Sequence, residues 1–284
     1  MSEPSLFRDI LAARLSRRDA IRGGLAAAIA AALPGCATPG PPPLLQFTSI
    51  PISTDDALRV APGYSASVLL RWGDPIGSPD GFPTFRMDAR NVASEQALQA
   101  GMHHDGMHFF SLPLGSNSSL RGLLAMNHEY FDPNLLHADG AANPTAEKVR
   151  KEMAAVGVSI VEVAFDGTRW SVLRPSRYGR RINAMTPIAL SGPAMGAAAM
   201  RTAFDPLGEE VLGTFSNCAN GYTPWGTYLS CEENIQYAFL NTGTRSAAEQ
   251  RYEMPRSPIY RWPAFEERFD ARRHPNEFNR FGWV

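Results

Sequence analysis

The apolar runs of this chain are short, and their shortness is what most limits its fold. From Ser159 to Phe165 apolar residues alternate with others, Asp166-Gly167-Thr168-Arg169 interrupts, and Trp170–Leu173 resumes the pattern. Two such runs around an Asp-Gly turn read as a β-hairpin. Arg121–Met126 reads as a further strand whose end delivers Asn127, His128 and Glu129. Val211–Phe215 and Thr227–Ser230 read as strands on either side of a loop marked by Gly221, Pro224 and Gly226, and the second delivers Glu232 and Glu233. Helical patterning is confined to Ser94–Ala100 and to Thr145–Ala155, which opens on Thr-x-x-Lys. The long helical periods of an α/β enzyme are missing, while 24 Gly and 23 Pro supply the turns that many short strands need. The expected class is all-β.

The two ends carry signals of a different kind. Ser16-Arg17-Arg18-Asp19-Ala20-Ile21 is a twin-arginine motif, and the apolar run Gly23–Leu33 after it is too short to cross a bilayer as a helix. An export signal over residues 1–37 is the reading, with the twin-arginine export machinery as partner and a periplasmic or secreted location. Leu33-Pro34-Gly35-Cys36 resembles a lipobox, so the signal ends either in a lipid anchor at Cys36 or in cleavage near Ala37. Residues 38–54 are a Pro-rich tether, and residues 55–284 are the folded domain. At the other end, Phe281-Gly282-Trp283-Val284 reads as the opening of a strand. A formal charge of −1 provides no basic footprint for nucleic acid.

The chemistry concentrates in residues 217–234. A thiol, two adjacent carboxylates and several amides and hydroxyls make a poor core but a good cradle for a metal or an anion. A thiolate is a soft ligand and carboxylates are hard, so a site using both suits a transition metal beside a harder cation. Cys218 and Cys231 are equally readable as a disulfide in an oxidising compartment. Glu129 is a ligand or a solvated strand end, and His128 suits a hydrogen-bonding partner to a ligand. Glu232 and Glu233, being adjacent, point to opposite faces of an extended strand. His103-His104-Asp105 is a metal site or a turn; Arg180 and Arg181 hold a phosphate or pin a loop. Gly192–Met200 lacks the Lys-Ser/Thr of a phosphate-binding loop. A strand followed by Asn/Cys-His/Glu-Glu recurs about a hundred residues apart, the spacing of roughly two propeller blades.

Several motifs in order resemble one family. Cys218-Ala219-Asn220-Gly221-Tyr222-Thr223-Pro224-Trp225-Gly226-Thr227, followed by Cys231-Glu232-Glu233-Asn234, is similar to the signature of the PhoX family of secreted alkaline phosphatases. His104–Phe110, Met126–Tyr130, Arg180–Asn183, Leu190–Ala194 and Pro275–Val284 extend the likeness over roughly Ala61 to Val284. The resemblance implies a β-propeller, of which this chain would cover about the first half, and hydrolysis of phosphate monoesters by a cluster of iron and calcium. It implies metal ligation by Cys218, Glu129, Glu232 and Glu233. Asn127, His128, Asn217, Asn220, Thr223 and Arg180 would orient substrate or ligands, and Tyr222 and Trp225 would shape the pocket wall. A chain with only the early blades would be weakly active or inactive alone. The alternative is an exported, non-catalytic propeller-like binding protein with a Cys218–Cys231 disulfide.

Overall fold

A computed structural model describes residues 48–284 apart from Pro79, so the twin-arginine motif, Cys36 and most of the tether lie outside the described residues. The chain divides into two units between Ala66 and Ser67. Residues 48–66 carry no helix or strand. No helix among the described residues is long and apolar enough to cross a membrane.

The second unit is built on an antiparallel sheet. β1 (His104–Ser111), β2 (Arg121–His128), β3 (Gly157–Phe165) and β4 (Trp170–Val172) lie side by side, and β5 (Arg180–Ile182) pairs with the first half of β3. The Asp-Gly hairpin forms as its sequence requires: the Asp166 carboxylate accepts from the Thr168 and Arg169 N–H groups at 2.8 and 2.9 Å. Alternation sends Leu123, Ala125, Val158 and Ile160 into one cluster and Met126, Val161 and Val163 into another. Both faces of β2 and β3 are therefore covered, each large aliphatic contributing about 1.5–3 kcal/mol. That covering makes β2 a rigid base for Glu129, the residue immediately after it.

Two further hairpins complete the strands: β6 (Thr186–Ala189) with β7 (Glu210–Gly213), and β8 (Asn217–Tyr222) with β9 (Tyr228–Glu232). The second corrects the expectation of a loop. Asn, Gly and Ala are weak strand formers, but β8 gains ladder bonds to β9, accepts from the Asn127 side chain on β2 and donates through Asn220 to the Met107 carbonyl on β1, and such contacts outweigh propensity. The turn is closed by Thr223, whose N–H donates to the Thr227 carbonyl and whose hydroxyl accepts from the Thr227 N–H. The helix Ala146–Ala155 forms with Thr145 as its cap, and the earlier helix is shorter than expected, Ala93–Gln96. The described residues thus form mostly sheet with few helices, in groups of five, two and two strands. No closed ring of blades is present among them.

The chain after β9 packs through aromatic side chains on short 3-10 turns. Trp262, Phe239 and Phe269 are fully buried around Phe215, whose ring lies 4.7 Å from Phe281 and 5.4 Å from Trp262. Trp262 donates through Nε1 to Glu152 (3.0 Å), and Arg268 donates to the Leu212 and Ala184 carbonyls (both 2.7 Å). Phe215 leads directly into β8, so this core fixes where β8 begins. The strand expected at Phe281–Val284 does not form. Gly282 sits at φ +84°, which bends the chain, and its N–H donates to the Glu232 carboxylate at 2.8 Å.

Candidate metal centre

Two β-bulges make the site. In the β1–β2 ladder His104 faces His128 and Met107 faces Met126, so Asp105 and Gly106 together oppose Asn127. In the β8–β9 ladder Asn217 faces Glu232 and Asn220 faces Ser230, so Cys218 and Ala219 together oppose Cys231. A bulge leaves one residue outside the ladder and re-aims side chains. Here each bulge carries a ligand-type residue, and the two bulges pack against each other. A Cβ on Gly106 would lie 2.6 Å from the Cys218 carbonyl oxygen, so only glycine permits this approach.

The result is a triad able to hold a metal ion. One ligand atom each of Asp105, Glu129 and Cys218 lies within 4.8 Å of the others. Glu129 follows β2 directly, anchored by its N–H to the His103 carbonyl (3.1 Å). Glu233 borders the triad, its own N–H held by the Ser216 carbonyl at 2.9 Å. Hydrogen bonding to Glu233 and then to Asp105 pushes the Cys218 thiol up to about 12. Burial, followed by the charges of Asp105 and Glu233, raises the Glu129 carboxyl as well. The charged neighbours behind both shifts are carboxylates, so charge on one group opposes ionisation of the thiol and of Glu129. A cation reverses that opposition and favours thiolate and carboxylate together. Soft sulfur beside hard oxygen fits a transition metal, with a harder cation on the carboxylates.

The other expected residues separate cleanly. Glu232 does not join the triad: Thr214 donates its hydroxyl to one carboxylate oxygen and Gly282 its N–H to the other. Asn217 donates to Thr214 Oγ1 and to Ser230 Oγ, both at 2.9 Å. Asn127 is fully buried and donates to the Cys218 and Ala219 carbonyls at 2.7 and 3.3 Å, while Ser230 donates to its Oδ1 at 2.9 Å. Asn220 donates to the Met107 carbonyl across the bulges (3.3 Å). His128 is buried with Nε2 2.6 Å from Ser159 Oγ, away from the triad.

The His103-His104-Asp105 run does not act as one metal site. His103 stacks on Tyr130 at 3.7 Å, His104 packs edge-on against His128 at 4.9 Å, and Asp105 alone enters the triad. Arg181 spends its guanidinium on the Ala154 and Val156 carbonyls, and Arg180, exposed, reaches the Tyr178 carbonyl. Tyr222 stacks on His108 at 3.9 Å, and Trp225 stands 80% exposed at the hairpin tip. Cys218 and Cys231 are both free thiols, so the disulfide of the alternative reading is not formed. Asp105 was expected only within a separate His-His-Asp site or a turn, not beside Cys218 and Glu129, and Thr214, Tyr228 and Ser230 were missed as partners of the surrounding residues. A bulge leaves no mark in a sequence pattern, which is why they were missed.

A mostly-sheet protein with a thiol–carboxylate triad at two facing bulges is the class that fold and site define. The family model for alkaline phosphatase PhoX matches residues 45–284, and the chain belongs to this family. Among solved structures it is similar to Pseudomonas fluorescens PhoX in complex with vanadate, a transition state analogue. The two are 41% identical with a TM-score of 0.80, over 84% of this chain and 41% of that one. The chain thus spans about two fifths of the length of that relative. No curated protein matches it.

Proposed function

We propose that this chain carries the thiol-bearing part of a metal-dependent phosphate monoesterase, with iron at Cys218 and calcium on the neighbouring carboxylates. The observation that carries the reading is the triad of Asp105, Glu129 and Cys218, bordered by Glu233, in a member of the PhoX family. The relative's complex with a transition state analogue supports phosphoryl chemistry for the shared fold. Bound metals would neutralise the anionic ester and provide an activated nucleophile at neutral pH.

The chain's own residues prepare for that role. Cys218 in β8 and Glu233 just after β9 offer their ligand atoms from the β8–β9 ribbon, and Asp105 and Glu129 offer theirs from β1 and the end of β2. Glu232 serves as a brace between Thr214 and Gly282, outside the ligand set. Exposed Trp225 and Tyr222 at the hairpin tip offer apolar surface to the organic part of an ester. Export through the twin-arginine route, which carries folded proteins, suits a centre loaded with metal before it leaves the cell; the support is the Ser16–Ile21 motif.

Elemental analysis for iron and calcium, with a chromogenic phosphomonoester assayed on the same sample, tests the reading. Both metals with turnover are expected once the full ligand set is present. Absence of iron after anaerobic reconstitution overturns the assignment of Cys218. Iron without turnover leaves that assignment standing and places hydrolysis in a larger assembly, as the span of the relative suggests.

A further inference from the structure

We infer that Tyr228, acting with Asn127, is a positioning residue that sets the spacing of the metal ligands. The inference rests on the metal reading above and concerns a residue that binds no metal itself. The bulges that re-aim Asp105 and Cys218 also take their backbones out of the ladders that would otherwise hold them. Something else must fix them. The Tyr228 hydroxyl lies 2.8 Å from the Gly106 carbonyl, in the first bulge, and 3.0 Å from Asn127 Oδ1. Both are acceptors, so the single hydroxyl proton ties the bulge and the amide to one point. The Asn127 amide in turn donates to Cys218 and Ala219, the two residues of the second bulge.

One phenol and one amide therefore span from Asp105 to Cys218, and Asn127 lies two residues before Glu129, at the end of β2. The network continues outward: Ser230 donates to Asn127 Oδ1, and Asn217 donates to Ser230 through its amide nitrogen while its Oδ1 has no partner. Members linked in this way depend on one another, so loss of the Tyr228 hydroxyl reaches the ligands that the two bulges carry. Outer groups that orient metal ligands are worth about 10–100-fold in metal affinity.

The test is a Cd2+ titration of the metal-free full chain, read by the thiolate-to-metal charge-transfer absorption, in wild type, Tyr228→Phe and Asn220→Ala. Tyr228→Phe keeps the ring that packs edge-on near Phe110 and removes only the hydroxyl. It should weaken Cd2+ binding about tenfold or more and shift the charge-transfer band, with the metal-free circular dichroism spectrum unchanged. Asn220→Ala removes the bond to the Met107 carbonyl just after the first bulge, from an outer position, so it loosens the site without threatening the fold; a smaller loss of affinity is expected. Wild-type affinity and band in both variants, with the band lost in Cys218→Ser, overturns the positioning role alone. A wild type with no thiolate band overturns the metal reading and the positioning role together. A fall in melting temperature with unchanged Cd2+ affinity makes Tyr228 a structural residue only and likewise overturns the inference.

Discussion

The two faces of the β8–β9 ribbon treat polar side chains in opposite ways. On one face Asn217, Tyr228, Ser230 and Glu232 each have protein partners, and their bonds run from Asn127 on β2 to Gly282 after the aromatic core. On the other, Cys218 and Glu233 meet Asp105 and Glu129, and each charge there raises the cost of the next. Adjacent residues of one motif, Glu232 and Glu233, fall on different sides of this division because side chains alternate along a strand. A polar group satisfied by the protein builds the fold; one left facing its like has the chemistry of a ligand.

The largest expected effect breaks the ligand face. Cys218→Ser should lose iron entirely in elemental analysis, while urea melts of the metal-free protein move by no more than about 0.5 kcal/mol, as for a surface change away from the core. A large fall in metal-free stability would show that the thiol is a structural group and erase the contrast. Next comes the inner face. Asn127→Ala leaves two carbonyls and the Ser230 hydroxyl short of a partner and should cost about 3 kcal/mol or more by urea melt, with metal present or absent.

Glu232→Gln and Glu233→Gln sharpen the comparison at neighbouring positions. The first should cost about 1 kcal/mol in metal-free stability through its bonds to Thr214 and Gly282 and leave iron content unchanged. The second should be neutral in stability and lower metal content. Interchanged results would place the ligand face on the other side of the ribbon.

A last expectation, away from the ribbon, concerns a buried cation with protein partners. Lys151 donates to the Leu136 and Ala89 carbonyls, and burial lowers its pKa from 10.5 to about 8. Its folded value lies below its unfolded one, so the unfolded chain binds more protons between about pH 8 and 10.5. Stability of the wild type relative to Lys151→Met should therefore rise with pH through that window, in thermal melts at matched ionic strength. A flat difference would mean that its two carbonyl partners offset the burial.

Much of this was legible in the sequence. The Asp166-Gly167 hairpin, the strand ending in Asn127-His128-Glu129 and the helix behind Thr145 come from alternation, turn chemistry and capping, all local properties. So does the gathering of ligand-type residues around Cys218, whereas Glu232 and Glu233 were both expected at the metal and only Glu233 borders the triad. Less legible was the strand Asn217–Tyr222, whose composition argues for a loop and whose bonds come from partners about ninety to a hundred and ten residues away in sequence. The bend at Gly282, where a strand was expected, also depends on such a partner, the Glu232 carboxylate.

The sequence by itself determined which chemistry is available: one thiol among carboxylates and amides, short strands, and the motifs of one family. Only the tertiary structure decided the division of labour. It drew Asp105 from beside two histidines into the triad, and it turned Glu232, Asn217 and Asn127 into supports. The physical reason is that a ligand's role depends on where its backbone is held. Here two bulges on separate hairpins, more than a hundred residues apart in the chain, set those positions, and no local pattern encodes the meeting of one bulge with another.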